Sequence, residues 1–296
     1  LENKTIYIPK SASNNGTDAT FTYFFQNIGC NLLFGRENNE TATLKKADII
    51  IPATTITEEF FNEKLNEHSL TNDRENIQNA LSLAKHVHSG QKRKSGTDYF
   101  TGHILPTTLF LIITEIKKGN TISTETIIAA LLHDIVEDSE ETITFDKNNK
   151  STHSAISITE EFGETVADIV KTLTKIPVDE YLNSSAFRSQ DMFELYNSMN
   201  EQDKWEFRNQ EYARQIYRGS QNAKLIKCAD RLLNITDDIK NLSDKHDVDF
   251  VTKYIYETKM FYRGLFQDIV SHNDLYFLTL ETLLTVLDSM AEDNNT

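Results

Sequence analysis

A chain of 296 residues, 39% hydrophobic and 25% charged, is long enough to bury a sizeable core as one large domain or two small ones. Its formal net charge of −15 excludes wholesale binding to nucleic acid or to an acidic membrane, so a polyanionic substrate would need a local basic patch or a metal. Two cysteines, Cys30 and Cys228, cannot build a disulfide framework, no run is apolar enough to span a membrane, and no secretory signal opens the chain, so the cytoplasm is the expected compartment.

The chain begins at Leu1, which fits a processed chain or a piece of a longer one. Residues 1 to about 70 carry short apolar runs, TIYIP, CNLLFG and ADIIIP, each ended by Gly or Pro, and these predict strands. ATFTYFFQNI between them predicts a short amphipathic helix. The outcome is a small α/β module over residues 1–70, whose composition points to no task.

From about residue 72 the periodicity turns helical. TNDRENIQNALSLAKHVHSG offers a cap at Asn72 or Asp73, apolar positions at Ile77, Leu81 and Ala84, and a stop at Gly90. HILPTTLFLIITEIKKG predicts the next helix, and STETIIAALLHDIVED another, capped at Ser123. SITEEFGETVADIVKTLTKI, the stretch from QEYARQ to KNL, and residues 248–270 and 274–291 continue the pattern. Only four prolines occur. Residues 71–296 therefore read as one all-α domain of eight or more helices. The polar stretch 179–206 has weak periodicity and reads as a long loop or a marginal helix. Cys228, inside KLIKCADRLL, reads as a buried small hydrophobe.

The chemistry concentrates in AALLHDIVEDSEET, residues 129–142. On a continuous helix His133 lies near Glu137, and Asp134 near Asp138. Three carboxylates and an imidazole beside an apolar stripe repel one another and lose solvation unless a cation joins them. His103 precedes an apolar helix, and Asp230 lies in KCADRLLN, where an isolated aspartate would be costly. From spacing alone two readings stand. The four residues enclose a divalent ion, with mixed N/O ligation favouring Mn²⁺, Fe²⁺ or Zn²⁺ over Mg²⁺ or Ca²⁺; or His103 is a satisfied core histidine and Asp230 pairs with Arg231. Lys92 to Lys94 likewise read as a patch for a polyphosphate or as an ordinary solvated charge run.

Four segments in order, HSGQKRKSGTDYFTGH (88–103), LLHDIVED (131–138), EEFGETVADIVKTLTK (160–175) and LIKCADRLLNI (225–235), resemble the motifs of the HD hydrolase domain. The version is that of RelA/SpoT enzymes and of small alarmone hydrolases of the metazoan SpoT homologue type, and the likeness spans roughly residues 72–240. It implies an all-α HD fold. It also implies that His103, His133, Asp134 and Asp230 hold one divalent metal, normally Mn²⁺, and that Glu137 and Asp138 position or deprotonate water. Arg93, Lys94 and Ser95 then pack against a guanine base and its surroundings, and Asn234 meets the sugar and phosphate region. The implied reaction is removal of the 3′-pyrophosphate of ppGpp or pppGpp.

Departures from the family pattern bear on the substrate. Pro106 comes three residues after His103 instead of directly after it, Leu233 stands where the family has His, and Asn234 is followed by Ile235, Thr236, Asp237 and Asp238 where the family commonly has Met-Arg-Thr. The alternatives are an HD phosphohydrolase of another nucleotide (an adenine alarmone, NADPH or a nucleoside phosphate) and an alarmone sensor without turnover. The Glu137–Asp138 pair argues against the sensor. No synthetase-sized region follows the HD segment, so a stand-alone hydrolase of a small nucleotide is expected, with the oligomeric state open.

Overall fold

A computed structural model describes residues 5–8, 31–34, 48–68, 70, 73–140, 142–145, 155–183, 190–243, 248–269 and 274–293. The expected helix at 19–28, together with Cys30 and Asn72, lies outside them. Strand β1 (Thr5–Ile8) is the middle of a three-stranded parallel sheet, flanked by β2 (Asn31–Phe34) and β3 (Ile49–Ile50). Ile6, Ile49, Ile50 and Ile51 are buried in the main core.

The remainder is predominantly helical. Helix α1 (Glu58–Glu67) starts at Thr57, whose hydroxyl accepts the Phe60 amide, and α2 (Arg74–Val87) buries Ile77, Ala80, Leu81 and Ala84 at the spacing of one helical face. Asp73 precedes α2 in the left-handed region and makes no side-chain cap bond. A π-helical turn (Phe100–Ile104) leads into α3 (Leu105–Lys118), which is buried from Leu105 to Glu115 and runs through the middle of the molecule.

Helix α4 (Thr124–Leu131) is capped by the Ser123 hydroxyl, as expected, but it does not run through to Asp138. His133 Nδ1 lies 2.8 Å from the Ala130 carbonyl, the group that the Asp134 amide would take in a continuing helix. The chain turns there and resumes as the single turn α5 (Ile135–Asp138).

A two-stranded parallel ribbon, β4 (Thr142–Thr144) with β5 (Ala155–Ser157), precedes α6 (Ile158–Phe162) and α7 (Glu164–Leu173), which are separated at Gly163. The polar stretch read as a loop or marginal helix is largely ordered helix: α8 (Val178–Asn183), α9 (Gln190–Ser198) and α10 (Glu201–Arg218). Tyr181, Leu182 and Tyr196 anchor it by burial, so packing overrides its weak periodicity.

Helix α11 (Gln221–Ser243) is the second central element. It buries Ile226, Cys228, Ala229, Leu232, Leu233 and Ile235, and it packs against α3 and α7. Cys228 is a free buried thiol. Helix α12 (Val248–Glu257), a second π turn (Thr258–Tyr262), α13 (Arg263–Ile269) and α14 (Leu275–Asp293) complete the bundle. The last of these packs on α11 and on β3, where the Thr279 hydroxyl donates to the Ile50 carbonyl at 3.1 Å. Among the described residues, no helix is long and apolar enough to cross a membrane.

Candidate metal centre

Three segments distant in sequence deliver one polar cluster between the central helices. His103 comes from the first π turn, His133 and Asp134 from the break between α4 and α5, and Asp230 from α11. The break matters here: it turns His133 and Asp134 together toward α3 and α11, which a continuous helix would splay 100° apart. His103, His133 and Asp230 are at most 4% exposed.

Asp134 Oδ2 lies 3.1 Å from His103 Nε2 and 3.1 Å from His133 Nε2. Asp230 Oδ1 lies 3.3 Å from His103 Nε2 and 3.9 Å from His133 Nε2, and the two ring nitrogens are 3.3 Å apart. Metal–ligand bonds of about 2.1 Å separate neighbouring donors by about 3.0 Å in an octahedral shell and about 3.4 Å in a tetrahedral one. Four of the five separations, 3.1–3.3 Å, fall in that interval, and Asp230 Oδ1 to His133 Nε2 at 3.9 Å lies beyond it. The donor chemistry fits as well, because the Ala130 carbonyl takes the proton on His133 Nδ1, so a cation that displaces the Nε2 proton meets a lone pair facing the cluster. His103 Nδ1 is buried and has no partner.

Supporting groups hold the two carboxylates. Tyr99 Oη donates to Asp134 Oδ2 at 2.8 Å, Lys227 Nζ donates to Asp230 Oδ2 at 2.7 Å, and Asn234 Nδ2 donates to Asp230 Oδ1 at 2.8 Å. Arg231 does not pair with Asp230. It pairs with Glu257 and Thr258 and is sandwiched between the rings of Tyr254 and Tyr262 at 4.2 and 3.9 Å. That removes the reading in which Asp230 is neutralised by its neighbour.

Electrostatically the cluster is a set of anions and imidazoles held against burial. Burial alone would push the His133 ring down, but Asp134 and then Asp230 hold it up at about 9. Burial opposes ionisation of Asp134 and Asp230, yet His133 and His103 keep the first well below the usual carboxylate range, and Lys227 with His103 does so for the second. Each buried anion therefore requires a cation beside it.

At the rim stand Glu137 and Asp138. Glu137 Oε1 accepts the Lys175 backbone N–H, and the Asp138 carboxylate is 3.8 Å from His88 Nδ1. Desolvation raises both carboxyls above the ordinary range, opposed at Glu137 by the Lys175 amide and reinforced at Asp138 by Asp134. They are thus displaced toward the range where a carboxylate takes up a proton readily.

The basic loop starts beside this rim, where Gln91 Nε2 donates to the Asp138 carbonyl at 2.9 Å. Its turn closes with the Gly96 amide on the Arg93 carbonyl at 2.8 Å, and Gly96 sits at φ +81°, a conformation that favours glycine. A Cβ on Gly102 would fall 2.6 Å from Thr97 Cγ2, so glycine permits the loop to press against the turn carrying His103. Arg93 Nη2 donates to Asn234 Oδ1 at 2.8 Å, and its Nε and Nη2 reach Asp237 Oδ2 at 3.3 and 3.2 Å. Arg93 also lies 5.8 Å from the centroid of the Tyr99 ring. Lys94 is exposed, and the Ser95 hydroxyl donates to Thr97 Oγ1 at 3.1 Å and not to the cluster.

The structure thus gathers His103, His133, Asp134 and Asp230 at one point, with Arg93 and Asn234 joined to them through hydrogen bonds. Sequence reasoning passed over Tyr99, Lys227 and the pairing of Asp237 with Arg93. Lys227 was legible as an i, i+3 partner of Asp230 on one helix. Asp237 was not, because its partner Arg93 belongs to a remote loop.

A model of the HD domain family matches residues 80–258. Among curated proteins, the chain is similar to a guanosine-3′,5′-bis(diphosphate) 3′-pyrophosphohydrolase of Aquifex aeolicus, 38% identical over 112 residues, which is 38% of this chain and 13% of the relative. A protein of the same name from Spiroplasma citri is 34% identical over 123 residues, 42% of this chain and 14% of the relative. A putative GTP diphosphokinase RSH1 of Arabidopsis thaliana is 40% identical over 100 residues, 34% of this chain and 9% of the relative. The matched stretch covers less than a fifth of each relative's own length. A solved structure of a metazoan SpoT ortholog, described as hydrolysing ppGpp, aligns at 19% identity with a TM-score of 0.46, over 71% of this chain and 94% of that one.

Proposed function

This chain belongs to the HD domain family, and from that premise we propose that it is a divalent-metal-dependent phosphohydrolase that converts ppGpp or pppGpp to GDP or GTP with release of pyrophosphate. The observation that carries the reading is the convergence of one imidazole and two carboxylates at 3.1–3.3 Å on His103 Nε2, with two further carboxylates and a basic loop at the rim. The names of the Aquifex and Spiroplasma relatives support the substrate.

His103, His133, Asp134 and Asp230 would hold the metal, Mn²⁺ by preference, with Fe²⁺ or Zn²⁺ as the other candidates for a mixed N/O site. Bound there, such a cation supplies charge withdrawal from a phosphoryl oxygen and a lowered pKa for water. Glu137 or Asp138 takes the proton from water as it adds to the phosphorus nearest the ribose. The P–O bond to ribose O3′ breaks, O3′ is reprotonated, and pyrophosphate leaves. Arg93, Lys94 and Ser95 line the base-binding side, and Asn234 joins that side to Asp230. The substrate is a small nucleotide met in the cytoplasm.

Metal-stripped protein incubated with ppGpp, with and without Mn²⁺, and followed by ion chromatography tests the reading. GDP and pyrophosphate formed only with Mn²⁺, and lost in Asp134→Ala, is the expected result. Absence of turnover in protein shown to hold one metal would overturn ppGpp as the substrate.

A further inference from the structure

Helix α7 ends at Leu173, and the last carbonyls of a helix have no partner within it. Here side chains of α10 take them. Gln215 Nε2 donates to the Thr172 and Thr174 carbonyls at 2.9 and 2.7 Å, and Tyr212 Oη donates to the Leu173 carbonyl. Asn209 Oδ1 accepts Lys175 Nζ at 2.9 Å. Asn209, Tyr212 and Gln215 recur at intervals of three, so one side of α10 grips four consecutive residues, 172–175. The grip is itself oriented. Tyr181 Oη on α8 donates to Gln215 Oε1 at 3.0 Å, which turns the amide N–H groups toward the carbonyls.

The gripped segment meets the rim of the metal cluster at one point, where the Lys175 backbone N–H donates to Glu137 Oε1. Among the described residues Glu137 Oε2 makes no hydrogen bond, so the carboxylate is tethered at one oxygen and open at the other. A main-chain N–H has no rotamers of its own. It therefore fixes Glu137 only as firmly as residues 172–175 are fixed. Asp138 has no such tether: its carboxylate is 3.8 Å from His88 Nδ1. A base works only when its free oxygen stays aligned with the proton that it takes.

We infer that Gln215 and Tyr212 are positioning residues that hold the Lys175 amide against Glu137 and so aim the carboxylate that takes the proton from water. The inference rests on the proposed hydrolysis and assigns the base to Glu137 instead of Asp138. Among the described residues, the hydrogen bonds of Gln215 and Tyr212 go to Tyr181 and to the main chain of α7 and its end, none to the four cluster residues.

Gln215→Met keeps the length of the side chain and removes its donors, and Tyr212→Phe removes one donor and keeps the ring. Hydrogen exchange of the Lys175 amide, followed by NMR in metal-free protein without nucleotide, is expected to quicken about tenfold in Gln215→Met and in Glu137→Ala. With Mn²⁺ and ppGpp, kcat is expected to fall about tenfold in Gln215→Met while KM stays within about twofold of wild type. In a Glu137→Gln background the same change is expected to cost less than about twofold, because a residue acting through Glu137 has nothing left to aim. A purely structural loosening would lower the rate by the same factor in both backgrounds. Circular dichroism and the Mn²⁺-dependent rise in Tm check the fold and the cluster of each variant, and Tyr212→Phe carries the same expectations if Gln215→Met does not fold. Unchanged exchange at Lys175 in a folded variant, or rate losses that multiply in full with Glu137→Gln, would each overturn the inference. A wild type that does not hydrolyse ppGpp fails the proposed reaction alone, and the Lys175 exchange rates then still decide whether α10 holds Glu137.

Discussion

The Tyr99 hydroxyl donates to Asp134 Oδ2 at 2.8 Å, and that same oxygen faces both cluster histidines at 3.1 Å. Tyr99 stacks on the buried His88 ring, with centroids 4.8 Å apart, and His88 Nδ1 lies 2.8 Å from Gln91 Oε1. Gln91 in turn donates to the Asp138 carbonyl at 2.9 Å. The orientation of one carboxylate is therefore fixed by a relay that returns to the acidic rim.

Tyr99→Phe removes that donor and keeps the ring. Outer partners of metal-binding groups are typically worth about 10–100-fold in affinity or activity, so Mn²⁺ affinity should fall by about tenfold with the fold intact. Metal titration of the stripped protein checks this, and an unchanged affinity would refute a supporting role for Tyr99.

A cation that binds the folded cluster and not the unfolded chain stabilises by about 2.7 kcal/mol at a hundred times its dissociation constant. For a domain of this size that corresponds to roughly 5–10 °C in Tm. The rise should be reversed by a chelator and abolished in Asp134→Ala. A melting temperature indifferent to Mn²⁺ in the wild type would count against a metal at the cluster.

Glu137→Gln keeps the shape of the rim and removes the base. Loss of a general base costs roughly 10²–10⁴ in turnover, whereas the Mn²⁺-induced rise in Tm should persist, because Glu137 is outside the cluster. Rapid-quench measurement of pyrophosphate release gives the rate. If Asp138→Asn proves the more damaging change and Glu137→Gln is silent, the proton passes to Asp138 instead.

Asp238 gives a pH dependence of stability. Burial, reinforced by Asp237, pushes its carboxyl up to about 7 from an ordinary 3.8, although Arg93 and Lys94 pull the other way. The folded protein then retains a proton that the unfolded chain has lost, so the stability linked to this group is complete below about pH 4 and drains away as pH rises through 7. Asp238→Asn should match the wild type near pH 4 and exceed it above pH 7 by roughly 2–4 kcal/mol. Urea unfolding at pH 4.5, 6 and 8 measures the difference, and a variant less stable than wild type at pH 8 would contradict the sign.

Sequence and structure agree most closely where the signal is local and repeated. The apolar face of α2, the Ser123 cap and the buried Cys228 follow from spacing and composition. For the four residues of the cluster, spacing left two readings open, and the ligand set came from the resemblance to the HD domain. Disagreement begins where one side chain redirects the backbone, as His133 does by taking the Ala130 carbonyl and ending α4 at Leu131. It continues where packing decides, as in residues 190–206, whose polar surface hides buried Tyr196. The Arg93–Asp237 pair shows a third cause. Two ordinary charges, one in a surface-like run and one on a helix, acquire meaning only when tertiary structure brings them to 3.2 Å.

The Thr279–Ile50 hydrogen bond ties the start of the chain to its last helix. Ile49, Ile50 and Ile51 are covered there, and Leu280, Leu283 and Leu287 of α14 are equally buried. Separating the two would present apolar surface to solvent. The sheet and α14 are therefore coupled by packing. Removal of β3 would uncover part of α14, while its packing on α11 would remain.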